Sequence, residues 1–135
     1  MSTSLQDLEG IGPKYKELLK RHGINSTDKL LEVCGNRYGR KGLSEKTSIS
    51  ETIILKWVNM CDLFRINGIA GQFAVLLEGS GVNTLNNLRI RNAEILALMM
   101  ADVNNEKRVF KISPSPKTVA KWIEQAKELQ SMVTH

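Results

Sequence analysis

Aromatic residues make up only 5% of this 135-residue chain, which also has just three prolines, two cysteines and two histidines. So few aromatics and prolines argue against a large β-sandwich. Two cysteines make no disulfide framework, and Cys34 and Cys61 each sit among apolar neighbours, as buried small hydrophobes do. His22 and His135 stand apart from each other and from any cysteine, so neither nucleophilic catalysis nor zinc-type ligand spacing has support. His22 falls where a helix should end, and a cation there is mildly favourable. No Gly-x-x-x-x-Gly-Lys-Ser/Thr phosphate loop occurs. No apolar run reaches membrane-spanning length, and Met1-Ser2-Thr3-Ser4 lacks the basic and apolar character of a signal segment. The expectation is a cytoplasmic, non-enzymatic protein with no catalytic residues, no metal, no cofactor and no membrane partner.

What is present reads as globular: 41% hydrophobic and 24% charged residues, in a chain long enough for one domain with a core. The net charge of +5 favours an anionic partner. It is unevenly spread. Lys14, Lys16, Lys20 and Arg21 face Glu17 alone in residues 14–22, and Arg37, Arg40, Lys41 and Lys46 face Glu45 alone in residues 37–46.

The most informative stretch is Leu8-Glu9-Gly10-Ile11-Gly12-Pro13-Lys14-Tyr15. Gly10 and Gly12 accept backbone angles that a Cβ resists, and Pro13 suits the first turn of a helix. This predicts a short helix from Ser4 to Leu8, a tight turn through Gly12, and a helix from Pro13 that stops at Gly23. Helix N-termini present N–H groups to which an anion is attracted, and Lys14 and Lys16 lie within a turn. Further on, Asn25-Ser26-Thr27 starts a helix, with Asp28 favourable in its first turn, Leu30, Leu31 and Val33 on its apolar face, and Gly35 closing it. Residues 36–47 read equally as a loop or a weak helix. Ser50 caps a core helix with Ile53, Ile54, Trp57, Val58 and Cys61, after which Asp62 opens a turn through Ile66. Asn92 caps a helix to about Val103, and Ser115-Pro116 starts a last one to Leu129. No segment has a convincing strand period, so the expected fold is all-α.

A repeat underlies this order. Ile66 to Phe73 aligns with Leu8 to Tyr15 without a gap, Leu76-Leu77 matches Leu18-Leu19, and Gly81-Val82 matches Gly23-Ile24, all at an offset of 58 residues. Ile54-Leu55-Lys56-Trp57-Val58 matches Val119-Ala120-Lys121-Trp122-Ile123 at an offset of 65. The reading is a duplication: one compact helical domain, 1–135, with units at about 1–63 and 64–135 and five short helices in each. Trp57 and Trp122 fall on equivalent apolar faces and read as core anchors, and Met99-Met100 as core.

Gly10-Ile11-Gly12-Pro13-Lys14 with the leucine-rich turn and Gly23-Ile24 resembles a helix-hairpin-helix motif. With both halves in view, Leu5 to Leu129 resembles a family of small bacterial proteins, a domain of unknown function, built from tandem helix-hairpin-helix units. Glu9 to Tyr15, Leu55-Lys56-Trp57-Val58-Asn59, Asp62-Leu63-Phe64-Arg65-Ile66, Val103-Asn104 and Trp122-Ile123 carry the likeness. The resemblance implies the fold, and through the wider helix-hairpin-helix group it implies DNA binding. The implied contacts are the hairpin amides of Gly10, Ile11 and Gly12, with Lys14, Lys16, Lys20 and Arg21, and the second hairpin Gly68, Ile69 and Ala70. Departures are clear. Lys16 stands where such hairpins carry a small residue, as Ala74 does in the second. The second hairpin has Ala70 and Gly71 for glycine and proline, and Gln72, Val75 and Glu78 for Lys14, Glu17 and Lys20. Arg65 and Arg89 are the candidates to restore its charge. Glycosylases of the hairpin group need a carboxylate after the hairpin, and Glu17, the nearest, reads as a solvated helix residue. Two function classes follow: a sequence-independent duplex DNA-binding module, and a protein–protein interaction adaptor that uses the tandem hairpins as scaffold. The DNA-binding module is the leading reading and the adaptor its alternative, for which the altered second hairpin and modest charge speak.

Overall fold

Side-chain caps mark out the helices of this chain. Ser26, Asn36, Ser50, Thr84, Asn92 and Ser115 have extended backbones, and each side-chain oxygen accepts a backbone N–H three residues on. That bond satisfies a donor which the first helical turn leaves open. The helices they start are α2 (Thr27–Cys34), α3 (Arg37–Thr47), α4 (Glu51–Leu63), α6 (Leu85–Arg89), α7 (Ala93–Lys107) and α8 (Pro116–Glu128). Two more, α1 (Gly12–Arg21) and α5 (Gly71–Gly79), follow the two glycine turns. A single 3-10 turn, Leu5–Asp7, precedes α1. The computed structural model describes residues 4–8 and 10–135. Met1 to Thr3, at the start of the segment read for a signal, and Glu9 of the hairpin motif lie outside them. Among the described residues the fold is all-α, and the one β-like contact is an isolated bridge between Ser4 and Ser26.

Helices α1 and α5 end alike. Ile24 N–H reaches back to the Leu19 carbonyl (3.0 Å) and Val82 N–H to the Leu77 carbonyl (2.8 Å), over Gly23 (φ 80°) and Gly81 (φ 83°). This is the Schellman arrangement that glycine makes cheap. Trp57 on α4 meets Tyr15 on α1 edge-on at 5.4 Å, and Trp122 on α8 meets Phe73 on α5 edge-on at 5.1 Å. Both indoles are buried, in a hydrophobic cluster that draws on every one of these helices and includes Leu19, Leu43, Ile54, Leu77, Met100 and Ala126. Burial of this kind is worth about 25 cal/mol per Å² of apolar surface.

Several expectations need correction, and of the two readings left open for residues 36–47 the structure takes the helix, α3, behind the Asn36 cap. Gly39 is there because the α3 backbone lies against α2, where a Cβ would fall 1.8 Å from the Val33 carbonyl oxygen. Arg40 is not surface charge: it is buried and donates to the carbonyls of Cys34 and Gly35 (3.1 and 2.9 Å) and of Thr134. Asp62 opens the expected turn from its backbone, whose carbonyl accepts from the Arg65 N–H (3.3 Å), but its side chain is not a surface group. It lies inside α4, buried, and accepts from Arg65, Ser131 and the Met132 amide, which fastens the C-terminal tail. Helix α7 runs beyond Val103 to Lys107, because buried Asn104 accepts from Val109 and Phe110 and shapes the exit. The five-helix count fits only the first half, as a 3-10 turn plus α1–α4. Residues 64–135 hold four helices, α5–α8, because the turn after α4 forms no helical element of its own. Met100 is core, but Met99 is partly exposed and touches Arg91.

Candidate nucleic-acid interface

The two glycine turns share one backbone plan. Gly10 (φ 79°) and Gly68 (φ 98°) occupy the left-handed region. The next residue in each, Ile11 or Ile69, buries its side chain and closes the turn, with N–H bonds to Leu8 O (3.3 Å) and Ile66 O (3.2 Å). Those two amides are therefore occupied by the turn itself. The donors left for an outside acceptor belong to the first turns of α1 and α5. Gly12 adds a second positive φ in the first hairpin (63°), where the second has Ala70 at φ −110°.

At both helix starts the N-cap residue, Ile11 or Ala70, makes no side-chain capping bond. All six other α-helices have one. The two uncapped ends also lie together. Gly71, first residue of α5, sits so close to the first hairpin's approach that a Cβ on it would lie 2.8 Å from Asp7 Cβ and 2.9 Å from the Asp7 carbonyl oxygen. Between them runs an open groove of about 650 Å³, lined among others by Gln6, Gly10, Gly12, Lys16 and Gln72. Lys16 is half-buried in it, its Nζ 3.5 Å from Gln6 Oε1. Among the described residues, the carboxylate of Asp7 also borders the groove. The positive ends of two helix dipoles and one ammonium thus converge on a single depression.

The structure gathers only part of the expected site there. Gly10, Ile11, Gly12 and Lys16 line the groove. Lys14 is exposed just beside it, on the first turn of α1. Lys20 and Arg21 are exposed at the other end of α1, about 12 Å along the axis at 1.5 Å per residue, and Arg21 lies 3.8 Å from Glu17. Gly68 and Ile69 are turned toward α8. Asn67 exchanges hydrogen bonds with the Gln125 side chain (2.9 and 3.3 Å), and Gly68 lies against the Trp122 indole. Ala70 is exposed, directly before the groove residue Gly71. Arg65 does not restore charge to the second hairpin, since it bonds Asp62 (2.7 Å) and the Gln130 carbonyl. Arg89 is likewise engaged, donating to the Ala126 and Leu129 carbonyls at the end of α8. Gln6, Asp7, Gly71 and Gln72 were missed as groove residues. The available signal was the absence of a capping side chain at positions 11 and 70.

Among the described residues no group of three or more His, Cys, Asp and Glu side chains is placed to hold a metal ion, and no helix is long and apolar enough to cross a membrane. The class is thus, among the described residues, an all-helical protein in which the first glycine turn and the starts of α1 and α5 line one groove. More particularly, the chain belongs to the family described as Domain of unknown function (DUF4332), which matches residues 9–129. Neither a curated protein nor a solved structure matches it.

Proposed function

We propose that the chain is a tandem helix-hairpin-helix module, with units at about 1–63 and 64–135, that binds duplex DNA without reading its sequence. The duplication is supported by the matching C-caps of α1 and α5, the matching Tyr15–Trp57 and Phe73–Trp122 ring pairs, and the equal lengths of α4 and α8 behind Ser50 and Ser115. The observation that carries the functional reading is the pair of uncapped helix N-termini on one groove beside Lys16. Phosphate oxygens supply the acceptors these amides lack, and such contacts position a protein on DNA without specifying a base.

Exposed Lys14, with Lys20 and Arg21 further along α1, extends the positive field to neighbouring phosphates. Affinity for a fluorescent duplex is expected to fall with salt with a log–log slope of about −0.9 per phosphate neutralised. Lys14→Glu with Lys20→Glu should weaken unrelated duplexes alike. Gly12→Val should abolish binding, because φ 63° is strained for any β-branched residue. Absence of binding at low salt, or indifference to Lys14 and Gly12, rules out the DNA reading. The interaction-adaptor reading draws on a different observation, the exposed apolar face of α7.

A further inference from the structure

Helix α7 packs on α8 and α5 through Leu96, Ala97, Met100 and Asn104. Its other face is unusual for a solvent-facing surface. Ile95 (58% exposed), Leu98 (68%) and Met99 (37%) follow one another at helical spacing. Ile90, 78% exposed in the turn before the helix, extends the patch. Glu94 and Lys107, in the first and last turns of α7, lie to its two sides, and along the stripe itself the charges are arranged in order. At the N-terminal end the Arg91 guanidinium is folded back over the patch, held by Asn87 Oδ1 (3.1 Å) and 3.9 Å from Met99 Sδ. Toward the C-terminal end the same stripe continues as exposed Asp102 and Glu106.

We infer that this face is a homodimer interface, two copies of α7 crossing antiparallel about a two-fold axis near Leu98 and Met99. The occupant follows from self-complementarity. A two-fold contact sets a surface against itself reversed. An apolar centre with a cation at one end and anions at the other fits its own reverse, and a single-signed surface does not. With Leu98 opposite Met99 of the second copy, Ile95 stands opposite Asp102. The Arg91 guanidinium, lying beside Met99 Sδ, then meets the second copy's Asp102, with Glu106 one turn beyond. The contact forms twice. Antiparallel helices also set their dipoles head to tail. Leu98 and Met99, the most central residues, would be covered first.

The inference does not rest on DNA binding, and it is tested without DNA. Sedimentation velocity on the full chain, across a dilution series, should show a reversible shift from the 15.1 kDa monomer to a species of twice that mass. Leu98→Glu should stay monomeric throughout with unchanged helical content by circular dichroism. Arg91→Asp and Asp102→Arg should each raise the dissociation constant by about tenfold or more, and the double reversal should bring it back toward the parent value. A parent that is monomeric at the highest concentration overturns the proposal, as does a Leu98→Glu variant that still dimerises. Charge reversals that fail to rescue each other overturn the antiparallel register and the dimer as drawn.

Discussion

Burial pushes the Cys34 thiol up to about 11, with the neighbouring Arg40 guanidinium pulling the other way. Cys61, on the buried side of α4, is raised further, by burial first and then by the carboxylates of Asp28 and Asp62. Reactivity belongs to the thiolate, so both side chains should resist a thiol reagent at pH 8 in the folded protein and react fully in denaturant. The sign of the pH effect follows. From about pH 9 to 11 the unfolded chain has lost the Cys34 proton that the folded chain still holds, so stability falls as pH rises through that window. Below it the thiols contribute no slope. Denaturation midpoints that stay level from pH 8 to pH 11 would contradict this. Arg40 shows the same principle at a cation: three backbone carbonyls replace the water lost on burial, and composition alone counted it as surface charge.

Most helix starts were legible because a single oxygen sets each one. Ser50, Asn92 and Ser115 read as caps from type and position, and each is one; Asn25-Ser26-Thr27 reads as a helix start, and Ser26 is the residue of the three that caps. What the sequence hid was tertiary in origin. Glycines 39 and 42 look like breakers of α3, but at position 39 only a hydrogen atom fits beneath Val33. Helix α7 outran its expected end because a buried asparagine, not a glycine, governs the exit. The left-handed backbone at Gly10, Gly12 and Gly68 was legible from Gly-Ile-Gly and Gly-Ile-Ala, yet the approach of the α5 start to the first turn was not, because no local pattern encodes the contact of Gly71 with Asp7. The uncapped end of α5 gives a separable prediction. Ala70 already has the extended backbone of an N-cap, φ −110° and ψ 175°. Ala70→Asp should therefore cap α5 and raise stability by about 1 kcal/mol, while placing a carboxylate where the proposed phosphate sits. Urea melts should move up and duplex affinity should fall. If affinity holds while stability rises, the α5 terminus takes no part in binding.

The two halves are joined into one groove by very close backbone approach. Gly71 stands with three Asp7 atoms within 3.0 Å of where a Cβ would go, two of them backbone. Backbone cannot swing aside as a long side chain can, so an added methyl must separate the α5 start from the first hairpin. Gly42, in the middle of α3, is the natural contrast. It has an ordinary φ and nothing within 4 Å of its Cβ position, and in a helix interior alanine is favoured over glycine by about 1 kcal/mol. The same exchange should therefore act in opposite directions. Gly42→Ala should stabilise by about 1 kcal/mol, and Gly71→Ala should destabilise by about 1–3 kcal/mol through overpacking. Equilibrium urea unfolding of the two variants beside the parent measures both. The pair separates a local effect from a global one, because helix propensity alone would push both variants upward. Two stabilised variants would mean that the halves yield freely at Asp7. The groove between α1 and α5 would then be too loosely held to set two helix ends at a fixed spacing against a phosphate backbone.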